Sequence, residues 1–315
     1  MFVGHAALAF AAVAWLAAHR VDRRTALSLG AVAAAFATIP DVDILYAPVG
    51  MLGARLDALA LASAFWSTST LVHRGVTHSL VLSALVAAVA LGCFLGARGR
   101  RDLLVSSVVA GALLVVGVAL DAGSLAGGVT LLFVASALGL SVVGARRSTL
   151  SPRAFAAAVS VGLLSHPFGD VFTGSPPAFF YPFETVLLSE RVTLAGDPTL
   201  HLLGAFAVEL AAIWLAVVVF VDCAGVSGRL RDFVRPRVAV ATVYATAVFV
   251  LPPPTLDYSF PFVFSVIAVG AVGAIPRVQV GTRRVTVPGR LSVVVTALAA
   301  VTVAWAAYTL AYLVV

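Results

Sequence analysis

The sequence predicts an all-α protein, a polytopic transmembrane helical bundle of about ten spans with a His/Asp metal site at the outer ends of several helices. Three observations predict this. The chain is 61% hydrophobic and only 11% charged, against roughly 25% charged residues in soluble domains. Apolar runs of membrane-crossing length recur from end to end, without the ten-residue alternation of β-barrel strands. Histidines and aspartates, expensive beside a bilayer, gather at a few places within this apolar background.

Spans are expected at 2–18, 25–39, 78–96, 103–121, 124–143, 154–172, 200–221, 238–251, 259–275 and 291–314. The first apolar run has no charged segment before it and is followed by Arg20, Arg23 and Arg24. It therefore reads as a first span with its N-terminus outside, not as a cleaved signal peptide. Basic clusters recur at Arg98/Arg100/Arg101, Arg146/Arg147/Arg153, Arg229/Arg231/Arg235/Arg237 and Arg277/Arg283/Arg284/Arg290, in every second loop. Only Arg55, Arg74 and Arg191 fall on the other side. The positive-inside rule makes the arginine-rich face cytoplasmic and puts both termini on the non-cytoplasmic side of a plasma-membrane protein.

No polar stretch is long enough for a separate soluble domain. Residues 1–185 are expected to form the metal-site membrane core, and 186–315 additional transmembrane helices of the same membrane domain. The net charge of +6 resides in short loops, which explains it by topology and argues against nucleic acid as a partner. Cys93 and Cys223 form no CxxC pair and read as small buried hydrophobes. No internal repeat is evident.

The polar residues then fall on one face. His5 lies near the outer end of the first span, Asp41 and Asp43 just after the second, His73 and His78 before the third, and His166 and Asp170 at the end of the sixth. Pro40 should end the second span, and an i,i+2 carboxylate pair in a turn can address one metal or bridge two. On an ideal helix His73 and His78 stand about 140° apart, so Gly75 is expected to make a turn, with Thr77 or Thr70 as a cap. Arg74 can pair with a carboxylate or phosphate. His166 and Asp170 have the i,i+4 spacing of one helix face, and Pro167 between them releases the Leu163 carbonyl, a feature suited to a protein-lined interior. For His5, capping and ligation both stay open.

Other polar groups rank lower. Asp121 ends its span on the outer face, and Glu209 sits about 13 Å inside the seventh span by helical rise. Asp197, His201 and Glu184 belong to the polar outer segment, His19 to the cytoplasmic face. The aromatics around Phe179–Phe183 read as interfacial anchors.

His5, Pro40-Asp41-Val42-Asp43, His73-Arg74-Gly75-Val76-Thr77-His78-Ser79 and Ser165-His166 running through Asp170 to Thr173, followed by Tyr181-Pro182, resemble in order and spacing the YdjM-like membrane-bound metal-dependent hydrolases. The resemblance covers roughly residues 1–185. The departures are Pro-Phe-Gly between His166 and Asp170 and Gly-Ser-Pro-Pro after Thr173. A distant relation of that family to zinc-dependent phospholipase C and nuclease folds implies a multinuclear His/Asp site acting on phosphoesters.

Residues and resemblance together lead to one expectation: a hydrolase using a metal-activated water on a phosphoester, either a small molecule or lipid-linked, at the bilayer. The metal ligands expected are His5, Asp41, Asp43, His73, His78, His166 and Asp170, and the catalytic groups Asp43, Arg74 and Asp170. Mixed imidazole and carboxylate donors suit Zn²⁺, with Mn²⁺ or Fe²⁺ as alternatives and one or more ions. The rival expectations are a cation transporter or channel and a non-catalytic metal-binding membrane protein. Transporters usually keep their site at the midplane within repeats, and here only Glu209 is deep.

Overall fold

In a computed structural model the chain folds into two compact units, Met1–Val192 with Val219–Ala224, and Thr193–Val218 with Gly225–Val315. The structure describes residues 2–279, 284–286 and 288–315. Arg283 lies outside them, as do the side chains of Arg277, Arg284 and Thr70.

The first unit contains α1 (Phe2–Ala18) and α2 (Arg23–Thr38), which Asp22 caps by accepting from the Thr25 N–H. As Pro40 requires, α2 stops there, and Pro40–Tyr46 winds as a 3₁₀ helix. Next come α3 (Ala47–Met51) and α4 (Ala58–Val72), which ends at His73. A turn leads through the 3₁₀ segment Val76–His78 into α5 (Leu80–Ala97). Ser79, not Thr77, caps α5 by accepting from Val81 and Leu82 N–H.

The 47-residue run α6 (Arg101–Arg147) is broken at Gly123, whose φ of 90° glycine alone adopts freely. Gly127 lies against Ala119 and Gly111 against Val134, so its halves fold back antiparallel. The expected spans 103–121 and 124–143 are these halves. Ser151 then caps α7 (Pro152–Gly169). The core of this unit is Phe36, Val86, Phe94, Phe133, Phe155 and Leu163, with Phe94 stacked on Phe155 at 4.0 Å. The Arg98 guanidinium stands over Phe94 and donates to the Ala145, Ser148 and Leu150 carbonyls, closing the end of α6.

The second unit holds most of α8 (Pro198–Cys223), α9 (Leu230–Phe233), the 3₁₀ helix Pro236–Phe249, α10 (Phe260–Val269) and α11 (Arg290–Val314). Its core is built on Leu203, Phe262, Val266, Ala304 and Tyr308. Two three-residue strands, Arg277–Gln279 and Arg284–Thr286, pair antiparallel.

Among the described residues five helices are long and apolar enough to cross a membrane, or six with the bent pair Arg23–Thr38 and Pro40–Met51 taken as one span. The expected ten is not reached on that measure. One reason is that α6 counts once despite its break. Another is that Val3–Ala18, Pro236–Phe249 and Phe260–Ala274 are shorter apolar helices. At a 3₁₀ rise of roughly 2.0 Å per residue, Pro236–Phe249 still extends about 28 Å. Both cysteines are free and buried.

Candidate metal centre

Four segments of the first unit deliver side chains to one buried point. From α1 comes His5, from the 3₁₀ helix after α2 come Asp41 and Asp43, from the turn before α5 come His73 and His78, and from the end of α7 come His166 and Asp170. All but His73 are buried, and Asp43, His78 and His166 have no exposed surface. His73 is partly covered.

Hydrogen bonds on the outer side of the imidazoles decide which nitrogens face inward. His166 Nδ1 is 2.6 Å from the Ala37 carbonyl oxygen. A carbonyl only accepts, so Nδ1 carries the proton and a neutral ring presents its Nε2 lone pair. Thr77 donates its hydroxyl to Asp43 Oδ2 at 3.3 Å, leaving its oxygen to accept from His78 Nδ1 at 3.0 Å. His73 Nδ1 donates to Asp43 Oδ1 at 3.1 Å. Asp43 thus stands behind two histidines and holds their rings, the arrangement that orients imidazole ligands in metal sites.

The inward atoms crowd together. His78 Nε2 and His166 Nε2 are 3.0 Å apart. Asp41 Oδ1 lies 3.3 Å from His166 Nε2 and 3.7 Å from His78 Nε2. Asp170 Oδ2 lies 3.0 Å from His78 Nε2, 3.8 Å from His166 Nε2 and 3.9 Å from His73 Nε2. His5 Nε2 meets the other oxygen, Asp170 Oδ1, at 3.2 Å, an approach that a Cβ on Gly169 would block.

Asp41 Oδ1 and Asp170 Oδ2 are buried and accept no hydrogen bond. Burying such acceptors unpaired costs several kcal/mol, and two imidazole lone pairs aimed at them add repulsion. A positive charge among these atoms removes the whole conflict. Nitrogen and oxygen donors without thiolate are the set a divalent cation such as Zn²⁺, Mn²⁺ or Fe²⁺ accepts, so the residues fit a metal ion. Two groups have ligand atoms all within 4.8 Å of one another, Asp41–His73–His78–Asp170 and His5–Asp41–His166. Asp41 belongs to both, and Asp43 to neither.

Arg74 sits at the rim in a left-handed backbone conformation, φ 68°, uncommon for a residue with a side chain. Its guanidinium donates to Thr173 Oγ1 at 2.6 Å, and Nε lies 3.6 Å from Asp170 Oδ2. Gly174 makes room for it, since a Cβ there would overlap the guanidinium.

The family model of the YdjM inner membrane proteins matches residues 1–251. The chain belongs to this family. No curated protein and no solved structure matches it. The YdjM match extends past residue 185, where the motif resemblance stops, through α8 and the 3₁₀ helix Pro236–Phe249.

The remaining candidates separate from the centre. Asp121 accepts from the Tyr181 hydroxyl at 2.7 Å. Burial and that bond push the Tyr181 phenol up to about 12. The Tyr181 carbonyl in turn accepts from Ser79 Oγ, so this pair braces the loop beside His78. His201 and Glu209 belong to the second unit and to neither ligand group. Asp197 caps α8, Glu184 is exposed, and His19 bonds the Trp15 carbonyl. Phe179 is buried, unlike the exposed Phe183, and therefore packs as core instead of anchoring at a headgroup layer. Thr77 and Thr173 acquire roles that sequence spacing alone did not assign, although both lie inside the motifs.

Proposed function

We propose that this YdjM-family protein is a membrane-embedded metal-dependent hydrolase acting on a phosphoester. The observation that carries the reading is the convergence of two unpaired buried carboxylate oxygens, Asp41 Oδ1 and Asp170 Oδ2, with the Nε2 atoms of His78 and His166. Asp41, His73, His78 and Asp170 would hold a divalent ion, Zn²⁺ first and Mn²⁺ or Fe²⁺ next, with His5 and His166 extending the set through Asp41. When bound, such an ion supplies an acidified water near neutral pH and charge neutralisation for a phosphoryl oxygen.

The chain's own residues divide the remaining work. Asp43, which accepts from His73 Nδ1 and from the Thr77 hydroxyl, orients the imidazoles. Arg74, held at the rim by Thr173, is the cation placed to meet an anionic phosphoryl group. The His5–Asp170 pair is a place where a proton can be held beside the reacting centre. The arginine ladder supports a centre on the non-cytoplasmic side of the membrane.

The test combines metal analysis with a phosphoester panel that includes soluble phosphodiesters and phospholipids, wild type against Asp41→Asn. Wild type is expected to bind metal and cleave ester, and Asp41→Asn to lose both. Cation uptake into proteoliposomes with no ester cleaved would contradict the hydrolase reading and favour transport.

A further inference from the structure

Between Asp43 and His73 the sequence leads one to expect an extramembrane connection. The structure instead builds a helical hairpin there. Its first arm continues from α2 through Pro40–Met51, bent by 43° at Pro40. Its second arm is α4, fifteen residues and about 22 Å long. The arms close on each other at Gly50 and Thr68, a small-residue approach of the kind that joins helices in lipid.

This hairpin has almost no interior. From residue 44 to residue 72, Ala47 is the one buried residue among those whose side chains are described, and α4 packs mainly on α3 and Pro40–Tyr46. Leu45, Val49, Leu52, Leu56 and Leu59 are exposed, Leu52 at 87% and Leu56 at 96%. From residue 44 to residue 72 the charges are Arg55 and Asp57, both at the tip. The hydroxyls of Ser67 and Ser69 donate back to the Ala64 and Trp66 carbonyls, which satisfies them without water. An apolar hairpin that runs on from a membrane helix and keeps its charges at the tip matches the acyl layer of a bilayer.

We infer that residues 44–72 form a lipid-immersed hairpin and that bilayer lipid is the species lying against the metal centre. Its first arm starts from Asp41 and Asp43 and its second ends at His73, so lipid beside either arm lies next to the ligands. Combined with the proposed hydrolase reading, on which this step rests, the substrate class becomes a membrane phospholipid or lipid-linked phosphoester that arrives laterally.

Nitroxide labels at Leu45→Cys, Val49→Cys, Ser63→Cys and Arg55→Cys, in a Cys93→Ala/Cys223→Ala chain in nanodiscs, test this by collision with oxygen and with a water-soluble nickel chelate. On the arms, oxygen collisions should exceed chelate collisions several-fold, with the order reversed at Arg55→Cys. Chelate-dominated arms would overturn the inference. So would arms shielded from both reagents with label-to-label broadening between chains, which would mean a second copy covers them. If the cysteine-free chain misfolds, brominated-lipid quenching of wild type against Trp66→Phe replaces it. Loss of a quenchable component in Trp66→Phe is expected, and identical quenching would refute the idea. Neither readout needs metal or turnover, so failure of the hydrolase reading and failure of this one are distinguishable.

Discussion

In the first unit, His5, Asp41, Asp43, His78, His166 and Asp170 are all buried and turned toward one another. In the second, the core is Leu203, Phe262, Val266 and Ala304, and its polar groups are mostly settled in ordinary ways. There Trp214 donates to Thr302, Trp305 to the Leu203 carbonyl, and His201 accepts from the Leu194 N–H. The Tyr308 hydroxyl is buried and unpaired, but it is neutral. The contrast separates two kinds of buried polar group. An unpaired hydroxyl is a modest cost that apolar packing absorbs, whereas converging carboxylates and imidazole lone pairs are a donor set that a bound divalent ion would satisfy.

The largest way to break the contrast is His78→Ala. Removing a support behind a ligand typically weakens metal binding about 10–100-fold, so losing the ligand should exceed about 100-fold, read by competition with a chromophoric chelator. The same titration on Tyr308→Phe should give the wild-type value. Stripping the metal comes next. An ion at about 100 times its dissociation constant stabilises a site by about 2.7 kcal/mol. Chelation should therefore lower the melting midpoint of the first unit, followed through protease-resistant fragments, and leave that of the second unchanged. Asp43→Asn sharpens the account, because Asp43 acts through His73. Its expected cost is about 10–100-fold in metal affinity, below that of His78→Ala. The smallest effect is Tyr308→Phe on stability, neutral or slightly favourable because the hydroxyl it removes has no partner. A loss above about 2 kcal/mol would show that the hydroxyl has a partner after all.

Much of the centre was legible in the sequence because its geometry is local. Pro40 ends α2, Gly75 and Arg74 turn the chain between His73 and His78, and i,i+4 spacing puts His166 and Asp170 together. Asp41 and Asp43 were harder. In a 3₁₀ helix residues i and i+2 diverge by about 120°, so Asp41 turns to His166 and His78 while Asp43 turns to His73 and Thr77. A turn or extended pair would have kept them together. The sequence does not announce α4, because its ten apolar residues, interrupted by Ser63, Ser67, Thr68, Ser69 and Thr70, fall short of a span and read as loop. The expected span 238–251 forms the 14-residue 3₁₀ helix Pro236–Phe249, because hydropathy reports what a segment is soluble in, not whether it winds as α or 3₁₀.

Whether the His/Asp cluster holds a divalent metal is read from elemental analysis of purified wild type beside an Asp41→Asn/His78→Ala variant, with both confirmed helical by circular dichroism. At least one bound equivalent is expected in wild type and less than about a tenth of that in the variant, given the loss of two ligands. Equal metal in the two proteins, or metal-free wild type after purification with added zinc, manganese and iron, would contradict a metal at this cluster.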